Sequence, residues 1–391
     1  MSTMECSFPP TNSTPCLRDD IGAARDAEGH LRIIIFSERR HLVFQVTEPI
    51  FSLIPLLDGS HTIRELTALM QVDFPTLTSD DIQSTLNLLD DEGVLTYRFN
   101  TRPVGMLNED ERERFRRQLS YLRDFSESVD HPDVMQRRVR DSTVAVLGLG
   151  GTGTWIAQSL ARIGVGRLRL VDFDNVEASN LARQVLYGVS DIGRPKALAA
   201  RLEIERQFGG DVVVEAIDRV VEPPLDDLVD ACDFVINCAD EPDINKTAAW
   251  VAEACMTQLI PHQVGGGYDG HIGMIGPTII PFASACWTCF QTDFQRRQPS
   301  LSLTYLTPTH KYSGALAPLA AAITNIQVWD VLRVISGCGK PLLANRTGEL
   351  DFQTLSLSWT EVPRNVSCLM CGASSESEES NQVMEDQRKH G

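Results

Sequence analysis

The sequence predicts an α/β protein with a mainly parallel sheet, an antiparallel C-terminal extension and a small N-terminal winged-helix-like domain. Three observations predict it. Residues 144–196 run apolar segment, glycine loop, helix, apolar segment and carboxylate, the order of a nucleotide-binding βαβ unit. Further apolar runs at 212–216, 233–237 and 258–262 alternate with helical patterns, so right-handed crossovers build a parallel sheet. Ahead of them, residues 31–97 read as a hairpin, three short helices and a closing strand.

Composition bounds the function. A chain of 391 residues has room for about two or three domains. With 42% hydrophobic residues it builds a core and is not generally disordered. A formal charge of -18 argues against a nucleic acid partner, which needs a basic surface. The polar start contains no secretory h-region. The uncharged stretch 272–290 approaches membrane-spanning length, but Gly273, Gly276, Pro277 and Pro281 make it strands and turns. The expectation is a cytoplasmic protein with no membrane partner. Ten cysteines then point to metal or core roles over disulfides.

In chain order, residues 1–28 read as disordered. The hairpin is 31–36 and 41–46 around a polar turn. A helix over 49–57 stops at Asp58-Gly59. The next, 62–70, is capped by Thr62 with Glu65 at capping-box spacing. The third, 79–92, starts at Ser79, stops at Gly93, and carries Ile82, Leu86, Leu88 and Leu89 on one broad face. Residues 100–142 read as a charged helical linker. The Rossmann-like α/β domain spans 143–372, with strands at 144–147 and 168–171 ahead of those above. After Gly265 come short, Gly/Pro-punctuated strands, a mobile segment at 291–313 and a long apolar helix at 315–335. The acidic tail 373–391 reads as disordered.

Within that domain Gly148, Gly150 and Gly153, with Gly151 between, satisfy the dinucleotide fingerprint, and Asp172 stands at ribose-binding distance. Taken alone this suggests an NAD enzyme. Asn180, Arg183 and Lys196 just beyond suit a triphosphate better. Asp240 follows the 233–237 strand at its carboxyl end, where a carboxylate is a natural Mg²⁺ anchor. Cys286-x-x-Cys289 and Cys368-x-x-Cys371 make a tetrahedral thiolate set for a structural zinc, Zn²⁺, with no position left open for catalysis.

Together these motifs, with Ser179-Asn180-Leu181-Ala182-Arg183-Gln184 and Asp191-Ile192-Gly193-Arg194-Pro195-Lys196, resemble the ubiquitin-activating-enzyme-like (ThiF/MoeB) adenylyltransferases over about residues 111–372. Arg114-Phe115-Arg116-Arg117-Gln118 resembles that family's R-[YF]-x-R-Q entry motif. The resemblance implies that Asp172 holds the ribose of ATP and that Asn180, Arg183 and Lys196 bind its triphosphate. It implies Mg²⁺ on Asp240, and an Arg117 that reaches the phosphates of the other protomer in a homodimer. Arg194-Pro195 departs from the usual Lys-x before Lys196, and Ala182 replaces a larger residue.

Residues 29–99 resemble a PqqD-like peptide clamp, through Leu57-Asp58-Gly59-Ser60-His61-Thr62-Ile63 and Gly93-Val94-Leu95. This implies that residues 30–98 bind the leader of a ribosomal precursor peptide by strand addition. Many family members carry a thioester cysteine after the first C-x-x-C, and residues 291–313 contain none. Cys232, Cys238, Cys255 and Cys338 read as small buried residues. The plan resembles the enzymes of microcin C7 and pantocin A assembly. It implies peptide-carboxyl adenylation in antibiotic biosynthesis without an enzyme thioester, ending in a nucleotide–peptide linkage or in condensation at Glu. His262, His271, His310, Lys311 and Tyr268 are candidates for a general base. The rivals are a sulfur-carrier-protein adenylyltransferase, an NAD-dependent oxidoreductase, which leaves Arg117, Arg183 and Lys196 without a role, and a non-catalytic peptide scaffold.

Overall fold

The computed structural model describes residues 13–18, 20–99, 107–123, 132–297 and 314–372. The expected disordered tail 373–391, His310, Lys311 and most of the 291–313 segment lie outside them. The chain divides into two units, Met1–Met106 and Leu107–Gly391.

The first unit contains β1 (Ser13–Leu17), β2 (Ile21–Arg25), β3 (Leu31–Ile35), β4 (Arg40–Phe44), α1 (Glu48–Leu53), α2 (Ile63–Asp73), α3 (Ser79–Asp91) and β5 (Leu95–Phe99). Residues 13–18 and 20–25 are therefore not disordered. β1 pairs antiparallel with β5 and β2 with β3. Neither segment, STPCL or IGAAR, has the alternating apolar pattern of a strand. Their order comes from backbone hydrogen bonds to distant partners. α2 carries the expected Thr62–Glu65 capping box, but α3 is capped by Thr78, whose hydroxyl accepts from the Asp81 N–H, and not by Ser79. Ile82, Leu86 and Leu89, at i, i+4 and i+7, join Leu31, Ile33, Ile35, Leu53, Leu66 and Met70 in the core. Leu88 falls off that stripe and is 48% exposed.

The second unit opens with α4 (Glu109–Arg123) and α5 (Pro132–Asp141). They are not a solvated linker. Phe115, Leu119, Leu122, Met135 and Val139 are buried, and the last three belong to the main core. There follow β6 (Thr143–Leu147), α6 (Gly151–Ile163), β7 (Arg167–Val171), α7 (Lys196–Phe208), β8 (Val213–Ile217), α8 (Asp226–Val229), β9 (Phe234–Asn237), α9 (Ile244–Thr257) and β10 (His262–Val264). The last elements are β11 (Gly267–Asp269), β12 (Ile272–Ile275), β13 (Thr278–Ile279), α10 (Trp287–Arg297), α11 (Ala317–Ser336), β14 (Arg346–Asp351) and β15 (Ser356–Glu361).

The main sheet has the order β13-β10-β9-β6-β7-β8 and is parallel except for β13. β6 lies at its centre and is buried along its whole length. Val144 and Val146 face one apolar cluster, Ala145 and Leu147 the other, as a strand covered on both faces requires. The C-terminal extension is the antiparallel sheet β11-β12-β14-β15. The strand expected over 258–262 begins only at His262: Gln258 ends α9 and Leu259 takes a positive φ of 58°. α11 has the length and composition of a membrane span, yet 56% of its apolar window is buried inside the protein. It packs against α6 through Val328, Val331 and Leu332 and against β12 through Leu319 and Ile323.

Candidate active site

The carboxyl ends of β10, β9, β6 and β7 form one edge of the parallel sheet, where ligands of such sheets bind. The glycine loop lies there. Gly148 turns at φ +91°, and a β-carbon on it would stand 2.6 Å from backbone atoms of Cys238 and Ala239. One on Gly153 would stand 1.9 Å from the Gly148 carbonyl oxygen. The loop thus lies flat on the end of β9, and α6 starts directly from it. Gly150 is the N-cap, with open space around it. The leading N–H groups of α6 have no intrahelical acceptor and, with the helix dipole, favour an anion.

Asp172 follows β7 and is buried. Its Oδ2 accepts from the Leu149 N–H at 2.6 Å and its Oδ1 from the Asp174 N–H at 2.8 Å. Burial raises its pKa, opposed by Lys196 and by these two N–H groups. Asp172 therefore ties the glycine turn to β7. Tyr187 holds the same turn, donating to the Leu149 carbonyl at 3.0 Å. Lys196 opens α7, only 6% exposed, with Nζ 2.7 Å from Asp174 Oδ2. The sequence reading missed Tyr187 and Asp174. The spacing Asp172-x-Asp174 was the available signal for the second, since a carboxylate beside a buried lysine supplies the needed counter-charge.

Asn180 is buried and shapes a turn, its Oδ1 accepting from the Glu177 N–H at 3.0 Å. Arg183 donates to the Ser179 carbonyl at 2.8 Å, and its own carbonyl accepts from Trp155 Nε1 of α6 at 3.0 Å. That bond fastens the arginine's turn to the glycine-loop helix. Asp240 is exposed, just past the end of β9.

The Arg114–Gln118 motif sits elsewhere. A β-carbon on Gly164, at the C-terminus of α6, would stand 2.5 Å from the Phe115 ring. Gln118 donates to the Ile163 carbonyl at 2.8 Å, and Arg114 pairs with Asp211. α4 thus docks at the end of α6 remote from the glycine loop, about 20 Å along a helix of this length. Arg117 is exposed on α4 and has no ion-pair partner among the described residues.

The candidate bases separate. His262 is fully buried. Its Nδ1 lies 3.0 Å from the Ile260 carbonyl oxygen, and burial pushes its pKa down to about 4. It is a core residue with no access to a substrate. His271 is exposed in the β11–β12 turn.

The two C-x-x-C pairs meet. Sγ–Sγ separations are 3.9 Å for Cys286–Cys289, 3.6 Å for Cys286–Cys368 and 3.5 Å for Cys289–Cys371, and all four sulfurs lie within 4.8 Å of one another. A tetrahedral zinc with Zn–S bonds of about 2.3 Å needs sulfurs about 3.8 Å apart, so this cluster fits zinc. Burial raises Cys286; at Cys368 burial is opposed by the backbone N–H groups of Cys371 and Met370 and by the Cys286 and Cys289 thiols, which together bring it to about 7. Cys232, Cys238 and Cys255, outside the cluster, stay protonated. Burial lifts Cys232 to about 11 and Cys238, beneath the glycine loop, to about 12, and it raises Cys255 as well.

Known proteins resemble this chain in sequence and in fold. The sulfur carrier protein ThiS adenylyltransferase of Escherichia coli is 30% identical over 243 residues, 61% of this chain and 89% of that protein. Protein HesA of Leptolyngbya boryana is 30% identical over 266 residues, 67% of this chain and 86% of that protein. Among solved structures, PaaA superposes with a TM-score of 0.70 at 24% identity, covering 89% of this chain and 100% of its own. E. coli MccB, solved with MccA-N7isoASN, gives 0.68 at 19% identity over 92% of this chain and 99% of its own. Residues 115–370 match the ThiF family, a span that contains the glycine loop, Asp172, Lys196, Asp240 and three of the four clustered cysteines, Cys286, Cys289 and Cys368. The chain therefore belongs to the ThiF family of ATP-using, E1-like adenylyltransferases.

Proposed function

We propose that this enzyme adenylates a carboxyl group on a ribosomally synthesised precursor peptide in antibiotic biosynthesis and passes it on without an enzyme thioester. The observation that carries the reading is the ordered unit ahead of the adenylation domain. The E. coli ThiS adenylyltransferase aligns with 61% of the chain, whereas the fold of MccB is shared over 92%. MccB has been solved with ATP and with MccA. In the N-terminal unit β4 is an edge strand with His41 and Val43 exposed, and α3 exposes Leu88. Such an edge accepts an added strand, which is how a leader peptide would dock.

In this reading Asp172 holds the ribose, and the start of α6 with Asn180, Arg183 and Lys196 holds the triphosphate. Asp174 holds Lys196 in place before the nucleotide arrives. Mg²⁺ on Asp240 would neutralise the departing pyrophosphate. A carboxylate oxygen attacks the α-phosphorus, the bond to the bridging oxygen breaks, and pyrophosphate leaves with the electron pair. Preorganised cations favour the charge that develops. The protonated, buried thiols leave the acyl-adenylate to react directly with its acceptor, giving a nucleotide–peptide linkage or condensation at Glu. Arg117, remote from its own glycine loop, would act in the site of a second protomer, in a cytoplasmic homodimer.

The test is incubation with ATP, Mg²⁺ and the peptide encoded beside the gene. AMP and pyrophosphate release, abolished by Arg183→Ala and by Asp240→Ala, supports the reading. Turnover only with a carrier protein ending in Gly-Gly favours the sulfur-carrier rival, which the 30% identity to the ThiS adenylyltransferase recommends. Peptide binding without ATP consumption, or hydride transfer to NAD⁺, overturns it.

A further inference from the structure

We infer that Tyr268 is a phosphate-binding residue of this site, its hydroxyl donating a hydrogen bond to the nucleotide phosphate seated on the first turn of α6. The inference rests on the reading that the glycine loop holds ATP. Tyr268 belongs to β11, in the antiparallel extension and outside the parallel sheet. A β-carbon added to Gly151 would stand 2.0 Å from its hydroxyl oxygen and 3.1 Å from its Cζ. The phenol therefore sits directly over the first residue of α6, and the glycine there leaves room for it.

The placement is rigid. The ring packs with Ile275, Leu319 and Ile323. Gln327 of α11 accepts from the Gly266 N–H at 2.9 Å and donates to the Val264 carbonyl at 3.0 Å, which fixes the path from β10 to β11. A β-carbon on Gly266 would stand 2.1 Å from the Met274 carbonyl oxygen, so that path is closely packed too.

Among the described residues no group hydrogen-bonds the hydroxyl. Beneath it lie the leading N–H groups of α6, which also lack intrahelical acceptors. Donors from two directions thus converge on one small volume. A single oxyanion satisfies them all, because each of its oxygens accepts several bonds. Lys196 approaches from the β7 side of β6, whereas Tyr268 follows β10, on the other side. The phosphate is then held from both flanks of the central strand.

The test is titration calorimetry of ATP, AMP and adenosine into the wild-type enzyme and the Tyr268→Phe variant, which keeps the packed ring. Loss of one hydrogen bond to a charged group weakens ATP and AMP about ten- to a hundredfold, with adenosine affinity unchanged. Unaltered ATP and AMP affinities overturn the inference. So does an equal loss for adenosine, which signals a structural role for the hydroxyl. A wild-type protein that does not bind ATP overturns the underlying reading, and this inference with it.

Discussion

Replacing Cys371 by serine tests the cysteine cluster. The two pairs lie 82 residues apart in sequence, yet their sulfurs come within 3.5–3.9 Å. In the unfolded chain a zinc ion finds one pair at a time, because closing a loop of this length costs about 4.5 kcal/mol. Four thiolates are presented together only by the folded unit. The ion therefore binds the native state far better than the unfolded one. At free zinc a thousandfold above the dissociation constant it contributes about 4 kcal/mol. For a unit of this size that corresponds to a melting temperature about 8–16 °C higher. The assay is thermal unfolding of wild type, chelator-treated wild type and Cys371→Ser, with zinc content measured by mass spectrometry. We expect one zinc per wild-type chain, and a drop of this size in the other two samples. Less than about a tenth of an equivalent of zinc in wild type, or an unchanged melting temperature in both perturbed samples, refutes the reasoning.

Arg117→Ala and Arg183→Ala should each abolish turnover, and mixing the two proteins should restore about a quarter of wild-type activity, because half the dimers then carry one intact site of two; no recovery places Arg117 in its own protomer's site or outside the chemistry. His262 has a folded pKa of about 4 against 6.5 unfolded. Only the unfolded state takes up a proton between these values, so native stability should rise with pH across that window, by about 3 kcal/mol in all, and be flat above it. Denaturant titrations of His262→Gln should show that slope reduced. Alanine at Cys232, Cys238, Cys255 or Cys338 should leave turnover within about threefold of wild type, as thiols packed in the protein interior are poor nucleophiles; a peptidyl-enzyme adduct seen by mass spectrometry contradicts this.

The parts legible in the sequence share one property: each is dictated by its own few residues. Gly148 needs a positive φ, and both Gly148 and Gly153 need a bare α-carbon against backbone only a short distance away. The parallel strands declared themselves as apolar runs because both faces of β6 are covered. Thr62 and Glu65 name the start of α2 because both bonds of the capping box close within one turn. Where two such local signals competed, as Thr78 and Ser79 did at α3, the choice went to the residue whose partner Asp81 reciprocates.

What the tertiary structure decided concerns residues whose partners are far along the chain. β1 and β2 have little pattern of their own and exist through pairing with β5 and β3. Helices α4 and α5, highly charged, reveal their buried faces only against α6 and α11. The pairing of Lys196 with Asp174 and the seat of Tyr268 over Gly151 depend on the sheet order and on the return of the antiparallel extension. The sequence by itself determined the glycine loop, the parallel strands and the cysteine ligands, because steric fit and burial periodicity act over a few residues. Only the tertiary structure decided that Asp174 pairs with Lys196 and that Tyr268 lies over Gly151, because long-range convergence is set by chain topology.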